Sequence, residues 1–152
     1  MRSTEQQAFT APHGIALRYG MFYGGDTARI RPQLMKRRLP VADGGLLPWV
    51  HVEDAAAATV AALEQGRAGQ AYNVADDEPA TFAQVFTAMA RSFGAPPPRR
   101  LPAWPLRLAA PLVVAFAMDT NLRVSTAKAQ TELGWRPAYP SYREGVVAMA
   151  RG

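Results

Sequence analysis

A short apolar strand that runs directly into a glycine-punctuated loop constrains this chain more than any other feature. The segment covers residues 14–25 and reads GIALRYGMFYGG. Its first half is too short and too apolar for an exposed element, and we predict a loop over 20–26. A buried strand entering such a loop is typical of an open α/β sheet, which presents backbone to a ligand where the strand ends. We therefore expect a ligand site just after this strand.

Strand and helix patterns alternate along the rest of the chain. We predict strands and helices, in chain order, over 47–52 (strand), 53–65 (helix), 71–75 (strand), 81–93 (helix), 125–133 (helix) and from 141 onward (helix). This alternation favours α/β packing with at least part of the sheet parallel. The proline-rich stretch 96–105 is interpreted as a loop inside one domain, because the residues after it are too few to fold alone.

Helix starts are indicated by capping residues. Capping boxes are predicted at Ser3 with Gln6, Thr81 with Gln84 and Ser141 with Glu144, and a cap at Ser125. In the helix predicted around Ile30, Leu34 and Met35, Pro32 should limit how far upstream the helix is regular.

One predicted helix carries an apolar stripe, Phe82, Val85, Phe86, Met89 and Phe93, at helical spacing. We expect this stripe to lack its cover in the isolated chain.

The charge balance is basic, with a formal net charge of +5 and a pI near 10.1. The basic residues are spread along the chain, and the runs 36–38 and 99–100 are short. Because no nucleic-acid motif and no interleaving of basic and aromatic residues accompanies them, we expect no nucleic-acid partner.

Cysteine is absent, which excludes disulfides, thiolate nucleophiles and cysteine metal sites and fits a cytoplasmic location. The polar amino terminus lacks the profile of a secretion signal. The apolar run 106–118 is broken by Pro111 and is shorter than the ~20 residues of a membrane span, so a buried or interfacial helix is expected there.

Four segments carry a family resemblance, and they are LRYGMFYG at 17–24, WVHVED at 49–54, AYNVADDEP at 71–79 and KAQTELGWRPAYPSYREG at 128–145. Together they resemble the carboxyl-terminal half of an extended short-chain dehydrogenase/reductase, the NAD-dependent epimerase/dehydratase family. The resemblance implies an α/β fold: the C-terminal part of a Rossmann-like parallel sheet plus a small, mostly helical substrate-binding lobe. Residues 1–152 would form this single domain, the substrate-side half, with the dinucleotide-binding half absent.

The family's reaction machinery is missing from the sequence. No glycine run has the spacing that cradles a pyrophosphate, and no Tyr-x-x-x-Lys pair occurs. Glu5 matches a family glutamate that follows the catalytic lysine by four residues, which places Met1 at the lysine position. We therefore expect no catalytic residue here, an inert isolated chain, and NAD or NADP bound in the intact form but not by this chain alone.

The resemblance also implies ligand-contacting residues. By this match Gly20, Met21, Phe22, Tyr23 and Gly24 would contact the cofactor, and Met21, Phe22, Tyr23 and Trp49 would contact the substrate. Many sugar-nucleotide epimerases have asparagine at the position of Met21 and an arginine–aspartate pair near the position of Trp49. Apolar side chains there disfavour a nucleotide sugar and favour an apolar or modest-sized carbonyl or alcohol.

Other polar residues are interpreted as structural. His51 and Asp54 match the family's His-Val-x-Asp motif, for which we expect a satisfied buried histidine and a helix-start acid. The acidic run 76–78 precedes a proline and a helix cap, so we predict a solvated turn. His13 and His51 form no metal-ligand pattern with nearby carboxylates, so no metal is expected.

Two functional hypotheses remain open. The first is part of an NAD(P)-dependent oxidoreductase or epimerase whose full-length form transfers hydride at a carbinol or carbonyl carbon of a small-molecule substrate. The second is a non-catalytic binding or regulatory module that retains the substrate lobe. In either case the strand over 15–19 lacks neighbours on its sheet. We therefore expect marginal stability or self-association of the isolated chain. Its partner would be a second copy, in a homodimer, or a separate Rossmann half.

Overall fold

The computed structural model describes residues 4–102, 104–105, 108 and 119–151. Its regular elements in chain order are α1 (Thr4–Ala8), β1 (Ala16–Tyr19), β2 (Met21–Tyr23), α2 (Thr27–Met35), β3 (Trp49–His51), α3 (Val52–Gln65), β4 (Ala71–Val74), α4 (Phe82–Ser92), α5 (Ala127–Glu132) and α6 (Tyr142–Arg151). None of the helices in this part of the chain is long and apolar enough to cross a bilayer. The apolar run 106–118 lies almost entirely outside the described residues, so the helix predicted there is not addressed.

The strands form two parallel pairs. In one pair β1 lies beside β4, with Ala16 opposite Ala71, so the expectation that this strand lacks neighbours on its sheet is wrong on this side. In the other pair β2 lies beside β3, with Met21 opposite Trp49. The parallel α/β architecture predicted from the alternation is confirmed. The loop predicted over 20–26 is wrong in part, because its first residues form β2 and pair with β3.

Gly20 is the only residue between β1 and β2, and it joins the two pairs. Its N–H donates to the Val74 carbonyl at 2.9 Å, and the next N–H, of Met21, donates to the Pro48 carbonyl at 2.8 Å. A Cβ at Gly20 would lie 2.8 Å from the Pro48 oxygen. Only glycine therefore permits this close approach of backbones.

Two groups of buried residues flank these strand pairs. The first, here called the alanine core, consists of Val50, Ala55, Ala58, Ala62, Tyr72, Val74, Ala129, Leu133 and Trp135. The second, here called the aromatic core, consists of Tyr23, Leu34, Trp49, Ala80, Val85, Met89, Ala90, Tyr142, Val146 and Met149. In the alanine core, α3 packs against β3, and α5 packs against β4. In the aromatic core, α2, α4 and α6 pack together beside β2 and β3.

Helix α4 begins at the predicted capping box. The Gln84 N–H donates to Thr81 Oγ1 at 3.1 Å, and the Thr81 N–H donates to Gln84 Oε1 at 2.8 Å. The expectation that the apolar stripe of this helix lacks a cover is wrong. Val85 and Met89 are fully or almost fully buried, because α6 and α2 pack against α4 within this chain.

Three predicted helix boundaries differ in the structure or lie partly beyond it. Helix α2 starts at Thr27 and continues through Pro32, because the Asp26 carboxylate accepts the Arg29 N–H at 2.9 Å and starts the helix before the proline. The residue at the start of α5 is Thr126 rather than Ser125, whose hydroxyl accepts the Ala127 N–H at 3.4 Å. The box at Ser3 lies partly outside the described residues.

Candidate ligand cleft at the ends of two parallel strands

A cleft of about 450 Å³ opens where β2 and β3 end, bounded by α2, α4 and the end of α6. Its lining is mostly apolar and is formed by Phe22, Tyr23, Gly24, Gly25, Asp26, Arg29, Ile30, Gln33, Leu39, Trp49, Val52, Phe86, Met89 and Met149. Its volume lies in the usual range for small-molecule sites, and the carboxyl ends of parallel strands are where open α/β sheets bind ligands. A concavity therefore lies where the sequence predicts a ligand site.

Four of the six predicted site residues line this cleft. Phe22 is the accessible one, with 56% of its surface exposed. Tyr23 and Trp49 are almost fully buried and present only part of their surface to the cleft, and the Trp49 indole N–H donates to the Ala80 carbonyl at 2.8 Å. Gly24 lies at its edge.

The other two predicted site residues lie beside the cleft. Met21 is half-buried and packs against the aromatic core, while its backbone pairs with β3. Gly20 joins the two strand pairs and lies against the Pro48 backbone.

Behind the cleft, Tyr23 and Asp76 form a buried polar contact in which the phenol O–H donates to Asp76 Oδ2 at 2.8 Å. Burial, reinforced by the charge of Asp54, raises the pKa of Asp76 to about 7, although hydrogen bonds from Tyr23 and from the His51 backbone oppose the shift. Burial and the charge of Asp76 also raise the pKa of Tyr23. The predicted solvated turn is wrong for Asp76, because this carboxylate turns inward to meet a tyrosine 53 residues earlier.

His51 is buried beside the same contact. Its Nδ1 accepts the Glu53 N–H at 3.3 Å, so in the neutral ring the proton is on Nε2. Burial lowers the pKa of His51, which favours this neutral form. Nε2 has no hydrogen-bond partner among the described residues, and a Cβ on Gly24 would lie 2.1 Å from it. Gly24, at φ +98°, is therefore required by both its backbone conformation and the imidazole ring.

Asp54 fixes the chain that follows α5. Its carboxylate accepts the backbone N–H of Ala138 at 2.7 Å and of Tyr139 at 3.0 Å, and its carbonyl accepts the indole N–H of Trp135 at 3.1 Å. These bonds give Asp54 a structural role that goes beyond that of a helix-start acid. No cluster of metal-ligating side chains occurs in the described ranges.

Arg29 and Gln33, on the face of α2 toward the cleft, were not identified from the sequence. They are one turn apart, so they lie on the same face of the helix. Their i, i+4 spacing, in a helix that follows the loop at the strand end, is the sequence pattern that could have placed them together on one helix face.

A larger groove of about 650 Å³ lies between α4 and α6. Of the arginines that border it, Arg100 pairs with Asp43 at 3.2 Å and Arg143 pairs with Glu78. Helix faces and loop residues line this groove, and it is not at the ends of the strands. The smaller cleft is therefore the better candidate site.

Comparison with known proteins gives relatives but no matching protein-family model. A 3-diazoavenalumate denitrifying reductase from a Streptomyces species is 39% identical over 144 residues, which are 88% of this chain and 46% of that protein. A conserved protein of unknown function from Silicibacter pomeroyi is 26% identical, with a TM-score of 0.77 over 97% of this chain and 52% of that one.

Two further solved structures contain a dinucleotide. A human epimerase family protein with NADPH is 17% identical, with a TM-score of 0.75 over 91% of this chain and 48% of that one. The dTDP-glucose 4,6-dehydratase of Bacillus anthracis with NAD is 18% identical, with a TM-score of 0.72 over 98% of this chain and 49% of that one.

The chain spans about half the length of each of these relatives. The predicted resemblance is confirmed at the level of the fold: the solved structures that share it include NAD-dependent epimerase/dehydratase proteins, the chain matches about half the length of each, and a reductase is 39% identical to it.

Proposed function

We propose that this chain forms the substrate-side part of an NAD(P)-dependent oxidoreductase and is inert alone. The complete enzyme would transfer hydride between a nicotinamide and a carbinol or carbonyl carbon of a small molecule. The observation that carries the proposal is the apolar cleft of about 450 Å³ at the ends of β2 and β3. The 39% identity to a reductase supports this reaction class.

The lining of the cleft favours a compact, largely apolar substrate. Its base is formed by Trp49, Phe86 and Met89, whose side chains offer one indole N–H that already bonds to Ala80. The many hydroxyls of a sugar would lose their hydrogen bonds to water here and gain few in return. The reductase relative is likewise named for 3-diazoavenalumate rather than for a nucleotide sugar.

The predicted cofactor contacts do not fit a complete dinucleotide site. Gly20 is required by the Pro48 backbone and Gly24 by the His51 ring, while Tyr23 is buried against Asp76. Phe22 remains as an exposed wall. Binding of the cofactor phosphates and the proton relay are therefore assigned to a further dinucleotide-binding segment, either of the same protein or of a partner subunit.

The first test combines the mass and the activity of the native protein purified from its source cells. We expect a mass larger by roughly 150 residues, the size of a dinucleotide-binding half, and NADPH- or NADH-dependent reduction of trans-cinnamaldehyde. The isolated 152-residue chain should show no turnover. Turnover by the isolated chain would contradict its proposed inertness.

The cleft itself is tested with Phe22→Ala in the isolated chain, using calorimetric binding of trans-cinnamyl alcohol. Because Phe22 is the exposed wall, its loss should weaken binding about fivefold, the effect of losing about 1 kcal/mol of apolar contact. Leu63→Ala is the matched control, since Leu63 is an exposed apolar residue on α3 outside the cleft. Equal weakening by both variants would count against the cleft.

The second candidate is a non-catalytic binding module. It is favoured by one observation, that these residues form an apolar cleft but contain neither a Tyr-x-x-x-Lys pair nor a glycine-rich phosphate loop. A native mass equal to that of these residues, together with no dinucleotide-dependent turnover in the native preparation, would favour this function over the first.

A further inference from the structure

We infer that the ligand of the cleft carries a carboxylate and that Arg29 binds it. This inference rests on the proposed function of the cleft and adds the chemical class of its ligand. The larger, apolar part of the ligand would lie on the wall formed by Phe86, Met89 and Met149, and its charged end would lie at α2.

The charged residues of the cleft indicate where an anionic group could bind. Asp26 and Arg29 are the two charged residues among the described residues that line it. Asp26 already has a role, because its carboxylate accepts the Arg29 backbone N–H at 2.9 Å and caps α2. The guanidinium of Arg29 has no hydrogen bond or ion pair within the part of the chain that the structure describes. It is thus available to a ligand.

The neighbours of Arg29 specify the kind of anion. Gln33, one turn later, adds a neutral amide on the same face of the helix, and no second cation lines the cleft among the described residues. A planar guanidinium binds a carboxylate through two parallel hydrogen bonds. Arg29 can pair with a single negative charge on the ligand, whereas a diphosphate would bring more negative charge and would also be repelled by Asp26. The complementary ligand is a compact aromatic or aliphatic carboxylate.

The other arginine-bordered concavity is less suited to an anion. In the larger groove Arg100 and Arg143 are already paired with Asp43 and Glu78, whereas Arg91 has no side-chain partner among the described residues but lies on α4, away from the ends of the strands. A ligand carboxylate would have to compete with those side chains for the guanidinium groups. Arg29 therefore offers a free cation beside an apolar wall at the ends of parallel strands.

The test compares trans-cinnamate with trans-cinnamamide, which differ in charge and little in shape, by calorimetric binding to the full 152-residue chain at low salt. We expect cinnamate to bind about tenfold more tightly, as for one charge-assisted contact. Arg29→Gln should abolish this preference while the amide still binds. Arg31→Gln is the control, because Arg31 is also exposed on α2 but lies outside the cleft, and it should keep the preference.

The possible failures are distinguishable. Equal binding of acid and amide by the unchanged chain would overturn the carboxylate assignment and leave the cleft as a ligand site. A preference that persists in Arg29→Gln would overturn the role of Arg29. Failure of the unchanged chain to bind either compound would overturn both this inference and the proposed function of the cleft. Arg29 is exposed, so its substitution should leave the thermal unfolding midpoint unchanged.

Discussion

The alanine core and the aromatic core differ in the size of the side chains that fill them. In the first, Ala55, Ala58 and Ala62 form the buried face of α3, which packs against β3. In the second, large rings meet edge to face. The Tyr23 and Trp49 rings are 6.3 Å apart at 74°, and the Trp49 and Phe82 rings are 5.0 Å apart at 77°.

The difference explains where the cleft forms. Small side chains allow close contact between a helix and a sheet and leave little room between them. The cleft lies beside the large side chains of the aromatic core, such as Trp49 and Met89, and no residue of the alanine core lines it. The buried acid Asp76 also contacts the aromatic core, through Tyr23. The alanine core is thus tightly packed, and the aromatic core is the one that borders the cleft.

The largest effect should come from Trp49→Ala. Removing this buried ring leaves a cavity and takes away the indole hydrogen bond to the Ala80 carbonyl, which keeps its bond from the Leu47 N–H, at a cost of about 4 kcal/mol in the free energy of unfolding. Binding of cinnamyl alcohol should be lost as well. Urea unfolding and calorimetry measure the two effects, with Trp49→Phe as the control that keeps a ring. Loss of stability without loss of binding would separate the cleft from the aromatic core.

The next effect is a pH dependence of the unfolding free energy that arises from Asp76, the acid bonded to Tyr23 of the aromatic core. Asp76 has a folded-state pKa raised from 3.8 to about 7, so between these values the folded state holds more protons than the unfolded state. Its contribution to stability is therefore fully present below about pH 4 and is lost as pH rises toward 7. Between about pH 5 and pH 7 the loss should be about 2 kcal/mol.

His51 acts in the opposite direction over the same range, because its lowered pKa makes stability rise as pH approaches 6.5. The measurement is therefore the pH dependence of the unfolding free energy of the unchanged chain minus that of Asp76→Asn. This difference isolates Asp76. A difference that does not vary with pH would show that Asp76 is not a buried acid in solution.

Overpacking the alanine core should have a smaller effect. Ala58 is fully buried, so Ala58→Val forces α3 away from the sheet and should cost about 1.5 kcal/mol. Ala56→Val is the control, since Ala56 is exposed on the same helix and shares the change in helix propensity. Chemical unfolding measures both variants. Cinnamyl alcohol should bind normally, because the alanine core does not border the cleft, and weakened binding would contradict the separation of the two cores.

The smallest effect is expected at the start of α4, the helix that forms one wall of the cleft. Thr81→Ala removes one half of the capping box and should cost about 1 kcal/mol. Thr81→Ser keeps the hydroxyl and should restore most of this stability in thermal unfolding. Equal destabilisation by the two variants would mean that the hydroxyl is not the stabilising group.

Local patterns predicted most of the fold. The capping box of α4, the apolar strand β1 and the alanine-rich helix ending at Gly66 all depend on residues close in sequence. What could not be predicted depends on distant partners. The short strand β2 exists because β3, more than 20 residues later, pairs with it. The inward turn of Asp76 likewise depends on Tyr23.

The candidate site divides in the same way. Its place after the first strand follows from the general geometry of parallel sheets, and Phe22 and Trp49 were identified from motif positions. Arg29 and Gln33 were missed because the motif matches do not extend into α2. Which face of α2 meets the cleft is decided by its packing against α4. No local property of residues 27–35 encodes that orientation.

The one-residue junction at Gly20 determines how the molecule can move. The Gly20 N–H is bonded to the Val74 carbonyl and the next N–H to the Pro48 carbonyl, so no flexible residue separates the two strand pairs. Such a junction cannot serve as a hinge, because rotation about its dihedral angles would break bonds in both pairs at once. Any opening of the cleft to admit a ligand must therefore come from the helices around it, α2, α4 and α6, while β2 and β3 at its base keep their pairing.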